Sequence, residues 1–192
     1  MPHFSSWMMR FTMTIKEKYE NILDDCIDTI SNCSMDSSHN TLLVDDNNEL
    51  INFDKVTNKY SRQNSIIKNC PQSIDSLYIS ENAIFFIEFK NKKKIDKVDI
   101  KNKIYSSVYI LMDIYGLTTD FVRENIQFIL IYKQVDEKKD DAYKQIVLTT
   151  QHYAQASGTR FNMEEHKSIF KEVYTYTSEE FKCNFIDKYY TA

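Results

Sequence analysis

The sequence predicts an α/β domain with a central mixed β-sheet flanked by helices, and three observations point there. Stretches with apolar residues at helical spacing interleave with strand-sized apolar stretches, in the order helix, strands, helix, strand, helix, strand, helix. Asp75 to Lys90 reads as a hairpin that is apolar on both faces, and Ile126 to Tyr132 is a continuous apolar run, as expected of strands covered on both sides. The chain has 192 residues, 42% of them hydrophobic, which suits one core and not two, so residues 1–192 are expected to form a single domain.

The elements follow in order. Thr14 and Glu17 make a capping box, and Ile15, Tyr19, Ile22, Leu23, Cys26, Ile27 and Ile30 recur at helical spacing, which predicts an amphipathic helix from there to about Ser31. Ser34 to Asn40 is polar and reads as a loop. Thr41–Val44 and Leu50–Phe53 read as strands around Asp45–Glu49, and Ser61–Lys68 as a short helix. Asp75–Ser80 and Ala83–Lys90, rich in Ile, Phe, Tyr and Leu, form two strands joined by Glu81 and Asn82. Ile95, Val98, Ile104, Val108, Leu111, Met112 and Tyr115 mark a long helix that Gly116 stops. Asp141–Ser157, ended by Gly158, reads as helix and Glu172–Thr177 as a Tyr-rich strand. Ser178–Tyr190 reads as a final helix, capped by Ser178 with Glu179 and Glu180 in its first turn.

Composition excludes several function classes. The only glycines, Gly116 and Gly158, lie too far apart for a dinucleotide fingerprint, a Walker-type phosphate loop or a nucleophile elbow. A net charge of −4 is not that of a passive nucleic-acid binder, so any anion site must be local. The longest apolar stretches, such as Ala83–Ile87 and Phe128–Tyr132, fall well short of the ~20 residues of a membrane helix. The N-terminus has Arg10 amid apolar residues, no early basic region and no clear small-residue cleavage site, so no signal peptide and a cytoplasmic location are expected. Cys26, Cys33, Cys70 and Cys183 match no zinc spacing and are expected to be reduced and mostly buried. His152 and His166 have no paired ligand spacing and suit surface or core roles. Tyr174, Tyr176, Tyr189 and Tyr190 suit packing.

The chemistry gathers on the hairpin. With Glu81 and Asn82 at the centre of the turn, Ile79 faces Ile84, Leu77 faces Phe86 and Asp75 faces Glu88. Alternation places Lys90 on the face of Glu88, so one apolar face ends in an Asp, Glu, Lys cluster. Directly opposed carboxylates repel unless a cation sits between them, and oxygen ligands with retained water suit Mg²⁺ or Mn²⁺. Lys90 is then placed to orient an attacking water or to neutralise a pentacovalent phosphate. The plain structural alternative is that Lys90 bridges Glu88 and Asp75 as an ion pair.

In these residues the chain resembles the PD-(D/E)xK nuclease superfamily, which includes many restriction endonucleases. Asp75 stands at the Asp of the first motif, and Glu88-Phe89-Lys90 matches (D/E)xK; Ile74 stands where the family name has proline, the nearest being Pro71. The resemblance covers the first helix to the strand at 126–132 and implies a restriction-endonuclease-like αβββαβ core with C-terminal additions. It implies a metal-dependent nuclease, a hydrolase of DNA or RNA phosphodiesters, with Asp75 and Glu88 as metal ligands and Lys90 assisting the water. It also implies a carboxylate from the first helix. At about 100° per residue Glu20 lies nearest the apolar arc and is the expected further metal ligand, whereas Glu17, Asp24, Asp25 and Asp28 point further toward water. Lysines 90, 92, 93, 94, 97, 101 and 103 form a local basic patch, and Lys97, Lys101, Lys103 and Tyr105 are the substrate contacts the likeness suggests. A homodimer would pair two sites for double-strand cutting. The alternative is an inactive nuclease-fold binding protein of the immunity or antitoxin kind; an effector domain of a toxin or defence system is a third, weaker reading.

Overall fold

A computed structural model describes residues 19, 21–36, 40–64, 69–91, 95–133 and 159–190. Among them the strands are β1 (Ile27–Thr29), β2 (Met35–Asp36), β3 (Thr41–Leu42), β4 (Glu49–Asn52), β5 (Ser76–Ile79), β6 (Ile84–Lys90), β7 (Ile126–Tyr132) and β8 (Glu172–Tyr176). Six of these form one mixed sheet in the order β1-β4-β5-β6-β7-β8, and β2 and β3 pair separately. β1, β4, β5 and β6 are mutually antiparallel neighbours, whereas β7 runs parallel to β6 and β8 parallel to β7. The α/β class with a mixed central sheet is therefore the one expected.

Among the described residues the α-helices are α1 (Ile30–Cys33), α2 (Phe53–Gln63), α3 (Lys97–Tyr115), α4 (Thr119–Asn125), α5 (Ser178–Phe181) and α6 (Asp187–Tyr189). The parallel step from β6 to β7 needs a long crossover, which α3 and α4 supply. Asp96 starts α3 by accepting the Val98 and Asp99 N–H groups, and Gly116 ends it in the left-handed region at φ 65°.

Each sheet face has its own core. Ile51, Leu77, Phe86, Phe128 and Val173 pack under α2 and α3 with Phe53, Ile104, Ile110 and Phe170. On the other face Phe85, Ile87, Phe89, Ile129 and Ile131 meet Ile30, Phe181, Phe185 and Ile186. The double burial of β6 and β7 explains their apolar runs Ile84–Ile87 and Phe128–Tyr132. Cys26 and Cys33, both buried, fall in different cores, whereas Cys70 and Cys183 are exposed. His166 is buried edge-on against Phe128, and burial holds its imidazole below the usual value.

The structure departs from the sequence expectation in several places: β2 (Met35–Asp36) lies in the stretch expected as a loop and pairs with β3, β3 covers only Thr41–Leu42 of the strand expected at Thr41–Val44, and α4 (Thr119–Asn125) is an unexpected helix. Within the described part of the helix expected to reach Ser31, Asn21 is left-handed at φ 63°, Asp24–Cys26 is a 3-10 turn, and Ile27–Thr29 joins the sheet against β4. A ladder partner outweighs helical spacing there, because β-branched Ile27 and Thr29 suit either state. The strand expected at Leu50–Phe53 stops at Asn52, whose side chain caps α2 by accepting from the Lys55 N–H, so Phe53 begins a helix instead of ending a strand. That helix ends at Gln63, ahead of most of the short helix expected at 61–68; 65–68 lie outside the described residues. The final helix is capped by Thr177, not Ser178, and its second turn, Lys182–Ile186, is π-helical. The expected helix at 141–157, His152, Lys92 to Lys94 and Glu20 also lie outside the described residues. No helix among the described residues is long and apolar enough to cross a membrane.

Thr177 and Glu180 form a reciprocal capping box, and Arg160 grips the same carboxylate through two bonds of 2.7 and 2.9 Å. The Arg160 guanidinium, against some opposition from burial, holds the Glu180 carboxyl below its usual value of 4.5. Its stabilising contribution is thus present above that value and lost as pH falls through the lower folded one. Glu180 is partly exposed, so solvent screening keeps the expected cost of Glu180→Gln at about 1 kcal/mol near neutral pH. Thermal unfolding should show a melting point about 2–4 °C lower, with the gap from wild type closing as pH falls below about 4.

Candidate functional site

The hairpin sets the geometry. The Ser80 hydroxyl accepts from the N–H groups of Asn82 and Ala83, which fixes the two-residue turn. The pairs Ile79–Ile84, Tyr78–Phe85, Leu77–Phe86 and Ser76–Ile87 follow from that turn, in the register the sequence predicts. One step further stand Asp75 and Glu88. Ladder bonds give way there to side-chain bonds: the Asp75 N–H donates to Glu88 Oε2 at 3.2 Å, and the Phe89 N–H donates to Asp75 Oδ2 at 2.6 Å. The Asp75 carbonyl accepts from the Phe53 N–H at 2.9 Å, tying the site to the start of α2.

α3 closes the site from above the same sheet face. Buried Ser107 accepts from the Ile74 N–H at 2.9 Å, and Ser106 donates to the Gln72 carbonyl, so the strand leading into Asp75 is clamped to the helix. From this clamped helix Lys103 reaches between the carboxylates, with Nζ 3.2 Å from Asp75 Oδ1 and 2.8 Å from Glu88 Oε1. Lys90 lies 2.9 Å from the same Glu88 oxygen and 2.7 Å from Asp99 Oδ2. Asp99 sits one helical turn before Lys103 and also accepts from the Gln72 side chain at 3.3 Å.

Burial makes these charges interdependent. The Glu88 side chain is 0% exposed and Asp75 is 17% exposed. Burial, and then the negative charge of Glu88, push the Asp75 carboxyl well above its usual range, with Lys103 and the Phe89 N–H opposing. For Lys103 and Lys90 burial works downward but is outweighed. Glu88 and Asp75 hold Lys103 above its usual value, and Glu88 and Asp99 do the same for Lys90. Both ammonium groups are therefore fully charged near neutrality.

The structure thus brings together Asp75, Glu88, Lys90 and Lys103 of the residues singled out in the sequence. Lys103, expected among the substrate contacts, is the bridge between the two carboxylates, and Lys90 bridges Glu88 to Asp99 and not to Asp75. Lys97, Lys101 and Tyr105 are exposed, with Lys101 Nζ 5.9 Å from the Tyr105 ring. At 100° per residue Lys101 and Tyr105 each lie about 160–200° around α3 from Lys103. Asp99 was not singled out; its signal was its place four residues ahead of Lys103 and nine after Lys90. Gln72, Ser106 and Ser107 gave no chemical signal in sequence.

Among the described residues no three Asp, Glu, His or Cys side chains converge as metal ligands. Asp75 and Glu88 nonetheless fit a hard divalent cation. Their facing oxygens already hold one cation, the Lys103 ammonium, in common, and an oxygen-only donor set completed by water is what Mg²⁺ or Mn²⁺ prefers. The chain matches no family model, no curated protein and no solved structure.

Removing the bridging ammonium leaves two buried carboxylates opposed. Lys103→Met should cost about 1–3 kcal/mol of stability, because Lys90 still pairs Glu88 and the raised Asp75 carboxyl can take up a proton. Part of that loss should return on adding Mg²⁺ or Mn²⁺ but not Na⁺ at equal ionic strength. Thermal unfolding of wild type and variant with each salt measures both effects.

Proposed function

We propose that this protein is a metal-dependent phosphodiesterase acting on DNA or RNA, built on a restriction-endonuclease-like core. The observation that carries the reading is the opposition of Asp75 and Glu88 at the end of an antiparallel hairpin, with Lys90 next on the same face and bonded to the same carboxylate. The antiparallel run β4-β5-β6, the α3 crossover and the parallel strand β7 support the core assignment.

In this reading Asp75 and Glu88 hold Mg²⁺ or Mn²⁺, and Lys103 gives up its place between them. A divalent cation there supplies a Lewis acid for a phosphoryl oxygen and lowers the pKa of a water. Lys90, charged and held between Glu88 and Asp99, is no proton acceptor; its part is to donate to the attacking water or to balance the charge of the pentacovalent phosphate. Asp99 keeps that ammonium in place and acts as a positioning residue.

A second reading has a specific observation in its favour. Lys103 neutralises both carboxylates from within the chain, as a nuclease fold retained for binding another protein would require. Incubation with plasmid, single-stranded DNA and RNA in Mg²⁺ or Mn²⁺ separates the two. Metal-dependent cleavage, lowered at least about 100-fold in folded Glu88→Gln and Lys90→Ala variants, is the expected result. No cleavage by wild type, together with no metal-induced rise in melting temperature, overturns it in favour of the binding protein.

A further inference from the structure

Beside Lys90 stands an aromatic group that the catalytic reading leaves without a role. In the parallel register of β6 and β7 Lys90 pairs with Tyr132, and alternation puts both side chains on the face that carries Glu88. The Tyr132 ring has two partners. The Arg160 guanidinium lies 5.4 Å from its centroid, and the Phe161 ring meets it edge-on at 4.9 Å and 80°. Arg160 is itself immobilised by both Glu180 oxygens, by the Thr175 carbonyl at 3.3 Å and, through its own N–H, by the Thr175 hydroxyl at 2.7 Å. Tyr132 is thereby a fixed wall at the end of the parallel strands.

Phe161 on that wall is 37% exposed, and its backbone is left-handed at φ 63°, followed by Asn162 at φ 57°. A bulky residue in that region costs free energy that glycine would not. A tight turn does not need an aromatic side chain at this position. The ring packs edge-on against Tyr132 yet Phe161 stays partly exposed, beside the strand that neighbours that of Lys90. A cation on one side and a partly exposed aromatic ring on the other match the two parts of a single-stranded polynucleotide, its phosphate and its base.

We propose that Phe161, backed by Tyr132 and Arg160, is a stacking platform for an unpaired nucleobase next to the phosphate that Lys90 faces, so that the protein favours single-stranded over duplex nucleic acid. This rests on the nucleic-acid reading of the site above. A base inside a duplex has both faces stacked already and offers this platform nothing.

The test is binding of fluorescent single-stranded oligonucleotides, intact or carrying abasic positions, and of the matching duplex, in EDTA so that nothing is cleaved. Wild type should bind the intact single strand roughly tenfold to a hundredfold more tightly than Phe161→Ala does. The abasic strand should bind both proteins alike. Phe161→Trp should keep the affinity, and its added indole emission should be quenched by the intact strand but not by inorganic polyphosphate. Equal affinity of wild type and Phe161→Ala, equal binding of intact and abasic strands, or no binding at all overturns the platform. Binding through Phe161 without metal-dependent cleavage would retain the platform and overturn the catalytic reading; cleavage with Phe161→Ala unimpaired in affinity and KM would do the reverse.

Discussion

A fully buried carboxylate, that of Glu88, governs the arrangement of everything near it. A charge without water must be met by donors and counter-charges from the protein, and Glu88 receives two ammonium groups on one oxygen and a backbone N–H on the other. Each of those donors needs support of its own. Lys90 leans on Asp99, Lys103 on Asp75, and the Asp75 backbone on the first residue of α2. α2, α3, β5 and β6 are joined by one charge as well as by the apolar core beneath them.

The two faces of the sheet divide the labour. The α3 side carries every charged group of the site, at the end of strands whose other residues on that face are Leu77, Phe86, Phe128 and Leu130. The opposite side is a cluster of rings, Phe85, Phe181, Phe185, Tyr78 and Tyr189, whose closest pairs have centroids 4.8–5.6 Å apart, mostly edge-on or tilted. A rigid apolar layer behind β6 holds the backbone that presents Glu88 and Lys90, and preorganisation of that kind is what electrostatic chemistry needs.

The hairpin register was legible because two short-range rules agree. A two-residue turn fixes which residues oppose, and a period of two fixes which face they share. Lys103 was legible as a residue but not as a role: in a run of lysines every member looks like a solvated charge. Only the side of α3 that Ile100, Ile104 and Ser107 bury shows which lysine turns inward. β1 was misread because three residues are too few to show a period, and its pairing partner lies more than twenty residues away. α2 had a readable signature, an Asn cap followed by Phe53, Val56 and Tyr60 on one face, hidden because Leu50 to Phe53 also reads as a strand.

The separation in sequence of the partners around Glu88 orders events as the chain folds. Asp75 and Glu88 are 13 residues apart, a distance at which a hairpin closes within microseconds. Lys103, which makes their proximity tolerable, lies 15 residues beyond Glu88 and 28 beyond Asp75, on a helix that must form and dock first. The turn end of the hairpin rests on local contacts alone, whereas its charged end gains its neutralising ammonium only from α3. Docking of α3 and completion of the charged end of β5-β6 thus depend on each other, because the helix supplies the cation that the end of the hairpin lacks on its own.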